Sequence, residues 1–135
     1  MDLFCGSGSL GLEALSRGAR FVTFVDISPE EVGRLKDYVK KIGEEQTTSV
    51  LHANACRLPF ANQQYDIVLM DPPYLENLAH DALKSLVQNN WLTKSAIIIL
   101  ESARKDLLVI PDSYKELDVR IYGKNKIIFL QYEQK

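Results

Sequence analysis

Apolar residues in this chain fall into short β-branched or continuous runs, separated by stretches with helical spacing. Residues 1–5 read as the end of a buried strand that runs into Gly6-Ser7-Gly8-Ser9-Leu10-Gly11. Leu10, Leu12, Ala14 and Leu15 predict a short helix, and Gly18 is placed to end it in the left-handed conformation. Residues 21–25 form a β-branched and aromatic strand with Asp26 at its carboxyl end. Ser28-Pro29-Glu30-Glu31 predicts a helix start, with Ser28 as cap, Pro29 in the first turn and Glu31 closing a capping box; Gly43 supplies the stop. A third strand over 50–53 leads through Asn54-Ala55-Cys56-Arg57 into a loop around Pro59. The fourth strand, 65–70, ends at Asp71-Pro72-Pro73-Tyr74, because neither proline can donate to a sheet ladder. Leu75, Leu78, Ala79, Ala82, Leu83, Leu86 and Val87 predict an amphipathic helix over 75–90. A fifth strand covers 95–101, and 117–121 and 126–132 alternate as an antiparallel hairpin around Gly123-Lys124-Asn125.

Strands alternating with helices, then a closing hairpin, predict an α/β fold: one Rossmann-like domain with a mostly parallel sheet and an antiparallel C-terminal hairpin strand. Ligands of such sheets bind outside the carboxyl ends of the strands. The glycine loop, Asp26, Asn54 and Asp71 close strands one to four and share that edge.

Length sets the expectation of one domain, since 135 residues are about what a single core takes. The longest apolar run, 96–100, is far short of the roughly 18 to 20 residues of a membrane span, and 1–5 lacks a basic leader region. Cys5 and Cys56 have neither CxxC spacing nor a neighbouring His or Cys cluster. They are expected to be reduced structural thiols of a cytoplasmic protein that uses no metal and no membrane. The net charge of -2 is not the footprint of a protein that binds nucleic acid by charge alone. Residues 1–83 nevertheless hold 7 basic and 12 acidic side chains, against 9 and 6 in 84–135, which places any phosphate-facing surface in the second half.

The loop matches G-x-G-x-x-G, with an acidic residue 20 positions past Gly6. Glycines let the backbone turn tightly and approach a ligand, while Asp26 can accept hydrogen bonds from a ribose diol. Nicotinamide dinucleotides and S-adenosylmethionine both fit. Asp2 favours the second, because a carboxylate beneath the loop does nothing for a pyrophosphate but can hold an ammonium directly or through water. It can equally serve as a strand-end residue bonded to the loop backbone.

With Asp2-Leu3-Phe4-Cys5-Gly6-Ser7-Gly8 as cofactor loop and Asp71-Pro72-Pro73-Tyr74 as catalytic tetrapeptide, the chain resembles class I S-adenosylmethionine-dependent methyltransferases that modify exocyclic base nitrogens. The stretch from Asp2 to Ala19, Asp-Leu-Phe-Cys-Gly-Ser-Gly-Ser-Leu-Gly-Leu-Glu-Ala-Leu-Ser-Arg-Gly-Ala, is similar to the bacterial family that methylates guanine N2 in small-subunit ribosomal RNA. The resemblance implies S-adenosylmethionine as cofactor and ribosomal RNA or the small ribosomal subunit as partner. It implies cofactor contacts from the loop (Asp2, Phe4, Cys5, Gly6, Ser7, Gly8), from Asp26 and Ile27, from Asn54 and Ala55 at the adenine, and from Asp71. Asn54 stands where many relatives carry an acid. Relatives also begin with a basic segment that completes strand one, so the chain is expected to be N-terminally shorter than the family.

The chemistry suits the tetrapeptide. An exocyclic amine on a purine is a poor nucleophile whose nitrogen becomes positive as methyl arrives. The Asp71 carboxylate and Pro72 carbonyl can accept its hydrogens and aim its lone pair, and Tyr74 can stack on an extruded base. A C5-pyrimidine methyltransferase would need a thiolate, which neither cysteine is set up to supply. Asp66, His52 and His80 are expected in structural or surface roles, and Lys124 and Lys126 are candidates for phosphate contacts on the hairpin. Alternatives at this point are adenine-N6 methylation of DNA, a non-catalytic cofactor-binding module, and a nicotinamide oxidoreductase, which leaves the tetrapeptide without a task.

Overall fold

Along the second strand of the sheet, Val22 and Phe24 pack into one hydrophobic cluster with Leu35 and Val39, while Val25 packs into another with Leu83, Leu86, Ile98 and Leu100. Both faces of the sheet are therefore covered, as a strand apolar at consecutive positions requires. The computed structural model describes residues 1–73 and 77–134. Seven strands, β1 (Asp2–Leu3), β2 (Val22–Asp26), β3 (Thr48–His52), β4 (Tyr65–Met70), β5 (Leu92–Ala103), β6 (Tyr114–Tyr122) and β7 (Asn125–Tyr132), form one sheet in the order β3-β2-β1-β4-β5-β7-β6. β1 to β5 are parallel; β7 is antiparallel to both β5 and β6. The strand order reverses between β1 and β4, which is where open α/β sheets place their ligand crevice.

Among the described residues three α-helices cover the faces: α1 (Ser9–Ser16), α2 (Pro29–Lys41) and α3 (Leu78–Gln88). Helix α2 begins as its sequence predicts, with the Glu31 N–H donating to Ser28 Oγ at 3.3 Å and Gly43 beyond its end at φ 75°. The capping box is only half built. The Ser28 N–H donates instead to Asp26 Oδ1 at 2.8 Å, and the Glu31 carboxylate pairs with Arg34 at 2.9 Å.

Most element boundaries differ from expectation. β1 pairs over two residues rather than five, because the backbone leaves the sheet at Phe4 with φ 56°. β3 runs two residues earlier than expected and ends before Ala53, whose N–H donates to the Asp26 carbonyl at 3.1 Å. β5 and β6 are longer than their apolar runs, since pairing with β4 and β7 carries polar positions into the ladder. Helix α3 was expected over 75–90. It begins at Leu78 behind Asn77, which has φ 66°, and stops before Asn90, left-handed at φ 64°; residues 75 and 76 lie outside the described residues.

The tightest packing lies where α1 crosses the sheet. A Cβ on Gly11 would overlap the Phe24 ring and stand 3.0 Å from Val22 Cγ1, so the helix reaches this depth only with glycine there. Gly33, exposed on α2, has open space where a Cβ would stand. Gly11→Ala is therefore expected to lower the unfolding free energy by about 1–3 kcal/mol through overpacking. Gly33→Ala is expected to raise it by up to about 1 kcal/mol through helix propensity. Urea unfolding of both variants checks the pair; equal effects would show that α1 does not need its close approach.

Candidate functional site

The glycine loop is fastened from two sides. Asp2, on β1 and only 1% exposed, accepts the Gly11 N–H on Oδ2 at 2.9 Å. Asp26, at the end of β2, accepts the Gly6 N–H on Oδ2 at 2.8 Å while its other oxygen holds Ser28. Between these anchors Phe4, Gly6 and Gly8 have φ of 56°, 53° and 82°, and the Gly8 N–H donates to the Cys5 carbonyl at 2.8 Å. The two cradle glycines differ in surroundings. A Cβ on Gly8 would press on the Leu35 methyls at 2.9 Å, whereas one on Gly6 would meet nothing within 4 Å. Gly6 thus leaves room for a ligand, while Gly8 is packed from beneath.

A cleft of about 370 Å³ opens at this edge, lined by Phe4, Asp26, Ile27, Ala53, Asn54, Ala55, Asp71, Pro73 and Leu78 among others. It brings together residues expected to bind cofactor from the ends of β1, β2, β3 and β4 with the first acid of the tetrapeptide. Phe4, Ile27 and Leu78 give it apolar walls, Asp26 a hydroxyl acceptor, and Asn54 with Ala55 a polar end. That combination fits a nucleoside. Because each oxygen of Asp26 holds one backbone N–H, each keeps lone-pair capacity for a further donor.

Asn54 uses its side-chain oxygen to accept the Cys56 N–H at 2.9 Å, which caps a 3-10 turn and fixes the orientation of the amide. The Ala55 N–H is first in that turn, where helix geometry provides no intrahelical acceptor, and Ala55 lines the cleft.

The other expected residues sit around the cleft. Asp2 is beneath the loop, bonded to its backbone. Cys5 is buried, and burial pushes its thiol up to about 12, out of range for a nucleophile. Ser7 lines a separate hollow with Leu35 and Tyr38. Cys56 is a free thiol, also raised by burial. Asp71 is exposed at the end of β4, yet partial desolvation lifts its carboxyl above the usual range. Pro72 is buried and lines a smaller cavity of about 50 Å³ together with Pro73, Asn77, Glu101 and Ser102. Tyr74 lies outside the described residues.

Residues in the expected minor roles have local partners. Asp66 accepts from the Thr93 hydroxyl at 2.9 Å, His52 meets the Ile27 carbonyl at 2.9 Å, and His80 the Val109 carbonyl at 2.7 Å. Lys126 donates to the Asp106 carbonyl, and Lys124 stands exposed in the turn beside Arg104 and Lys105. Sequence reasoning missed Ala53, Leu78 and Glu101. Leu78 carried a signal as the first strongly periodic residue of α3, and Glu101 as the acid that ends the apolar run of β5. Among the described residues no group of three or more His, Cys, Asp or Glu could hold a metal ion, and no helix is long and apolar enough to cross a membrane.

Residues 1–131 match the family model described as conserved hypothetical protein 95. The chain belongs to that family. The chain is similar to the ribosomal RNA small subunit methyltransferase D of Haemophilus influenzae, 36% identical over 130 residues, covering 91% of this chain and 66% of the relative. A protein of the same name from Buchnera aphidicola is 32% identical over 118 residues, covering 84% and 60%. The chain thus spans a little under two thirds of the length of these relatives. Among solved structures, the putative methylase HI0767 from Haemophilus influenzae superposes with a TM-score of 0.86 at 32% identity, covering 98% of this chain and 86% of that one. The architecture is the class I, Rossmann-like fold of S-adenosylmethionine-dependent methyltransferases.

Burial, with smaller contributions from the charges of Asp71 and Asp26, raises the Asp2 carboxyl from 3.8 to about 7, against the opposing effect of its bond from Gly11. The folded state then holds this proton to higher pH than the unfolded chain, so its contribution to stability is greatest below about pH 4 and is lost as pH rises through 7. The full displacement corresponds to about 4 kcal/mol. Asp2→Asn is expected to flatten the fall of the unfolding free energy between pH 5 and 8. A variant with the wild-type slope would show that Asp2 titrates normally.

Proposed function

We propose that this chain transfers methyl from S-adenosylmethionine to the exocyclic amine of a purine in RNA, with guanine N2 of small-subunit ribosomal RNA as target. The observation that carries the reading is the shared cleft: Asp26 and Asn54, suited to a nucleoside, line the same space as Asp71 and Pro73. The names of the relatives support ribosomal RNA as the substrate. The edge also carries Asp26, Asp71 and Glu101, a charge that favours a sulfonium and a nitrogen becoming positive and opposes the pyrophosphate of a nicotinamide dinucleotide.

S-adenosylmethionine would be held by the ribose-facing oxygens of Asp26, the walls formed by Phe4, Ile27 and Leu78, and the Asn54–Ala55 turn, with Gly6 leaving the loop backbone open to it. Bound there, it supplies an electrophilic methyl carbon. The remaining work belongs to the protein. Asp71 and the Pro72 carbonyl accept the two amine hydrogens, which turns the nitrogen lone pair away from the ring and toward the methyl group. As the C–N bond forms, the bond from the methyl carbon to the sulfonium sulfur would break with its electron pair left on sulfur as a neutral thioether; the nitrogen would become positive, and one of its protons would pass to the Asp71 carboxylate. Partial burial of that carboxylate raises its affinity for the proton, which suits it to the role. No thiol takes part, in keeping with the raised Cys5 and Cys56.

Incubation with labelled S-adenosylmethionine and unmodified small-subunit ribosomal RNA or its particles, followed by nucleoside digestion and mass spectrometry, is expected to give N2-methylguanosine. N6-methyladenosine would assign the same tetrapeptide to adenine, and absence of any methylated nucleoside would refute the catalytic reading. Asp71→Ala is expected to reduce the transfer rate by about 100-fold or more with cofactor affinity nearly unchanged. Asp26→Asn is expected to weaken cofactor binding in calorimetry while keeping one side-chain acceptor for the loop; wild-type affinity would remove Asp26 from the cofactor site.

A further inference from the structure

Beside Asp71 stands an acid that the proposed chemistry leaves without a task. β4 and β5 run parallel with Met70 opposite Leu100, so the next residues along, Asp71 and Glu101, lie side by side on strands about 4.8 Å apart. Along β5 the positions Ala96, Ile98, Leu100 and Ser102 are buried, and Glu101 lies half-buried on the alternate face. Both Glu101 and Pro72 line the small cavity beside the cleft. Among the described residues Glu101 enters no ion pair. Desolvation, and to a smaller extent the neighbouring charge of Asp71, raises its carboxyl.

The Watson–Crick edge of guanine presents two adjacent donors, the N2 amine and the ring N1–H. Asp71 and the Pro72 carbonyl account for the amine hydrogens, and the next acceptor along the sheet edge is Glu101. We infer that Glu101 is a specificity-determining residue, which accepts the N1–H of the target guanine and rejects purines whose N1 is a lone-pair acceptor. The inference rests on the methyl-transfer reading above and names the base that the site selects. Against adenine or 2-aminopurine an ionised Glu101 faces a lone pair and leaves both groups desolvated without a hydrogen bond. A glutamine at this position can turn its NH2 toward such a nitrogen or its oxygen toward an N1–H, so it loses the distinction.

The decisive comparison uses ribosomal RNA with either guanine or 2-aminopurine at the nucleotide mapped by product analysis, at pH 8, with the wild-type chain and Glu101→Gln. 2-Aminopurine keeps the reacting amine but lacks both the N1–H and the 6-oxo group, so the part of the preference that depends on residue 101 is read from the comparison of the two proteins. The wild type is expected to prefer guanine by about 100-fold or more in kcat/KM, and Glu101→Gln to reduce that preference to less than about 10-fold. General loss of folded protein lowers both rates and leaves the ratio untouched, and thermal unfolding of the variant checks this directly. Equal preference in the two proteins, or a wild type that makes N2-methylguanosine yet accepts both bases alike, overturns the role of Glu101 alone. A wild type that makes no N2-methylguanosine overturns the parent reading and the inference with it.

Discussion

The site depends on a backbone loop held in an uncommon shape by two carboxylates. Of three left-handed residues within five positions, Gly6 and Gly8 take the conformation without steric penalty, whereas Phe4 would be costly in a free chain. Asp2 grips the Gly11 N–H from beneath and Asp26 the Gly6 N–H from the side, and each is itself fixed in the sheet. Carboxyl oxygens are good acceptors for the backbone amides of a loop. Here they also leave the outer surface of Gly6 clear. The same Asp26 also holds the Ser28 N–H at the entry to α2, so loop, strand end and helix start are tied together through one side chain.

From that loop the sheet edge divides its labour. The ends of β1, β2 and β3 build a pocket with apolar walls and few polar contacts, suited to holding a nucleoside. Asp71 after β4 lines the same pocket, and Pro72 and Glu101 line the smaller cavity beside it. Acids held close together and partly out of water are expensive, which is visible in the raised carboxyls of Asp2, Asp71 and Glu101. In the proposed reaction this cost would be offset by the positive charge that develops at the nitrogen.

Several of these features were legible in the chain. The tight turn, the capping serine with its following proline, and the paired prolines after an apolar strand each act through local backbone physics, so they can be read residue by residue. The strand–helix alternation then placed Asp26, Asn54 and Asp71 on one edge, since parallel strands all present their carboxyl ends to the same side. Local rules failed where long-range pairing decides. β1 is cut short by the left-handed Phe4, and β5 extends past its apolar core because neighbouring strands satisfy its backbone.

The chain by itself thus determined the α/β architecture, the glycine loop, the acid at the end of β2 and the tetrapeptide after β4, because periodicity and turn chemistry are written in nearest neighbours. The tertiary structure decided what each acid does. Asp2 spends its carboxylate on the loop, Asn54 spends its oxygen on Cys56, and Glu101 stands beside Asp71. The first and last of these outcomes rest on strand register and burial, which bring together residues 9 apart in one case and 30 in the other, beyond the reach of a local pattern, whereas the Asn54 bond spans two residues and is local turn chemistry.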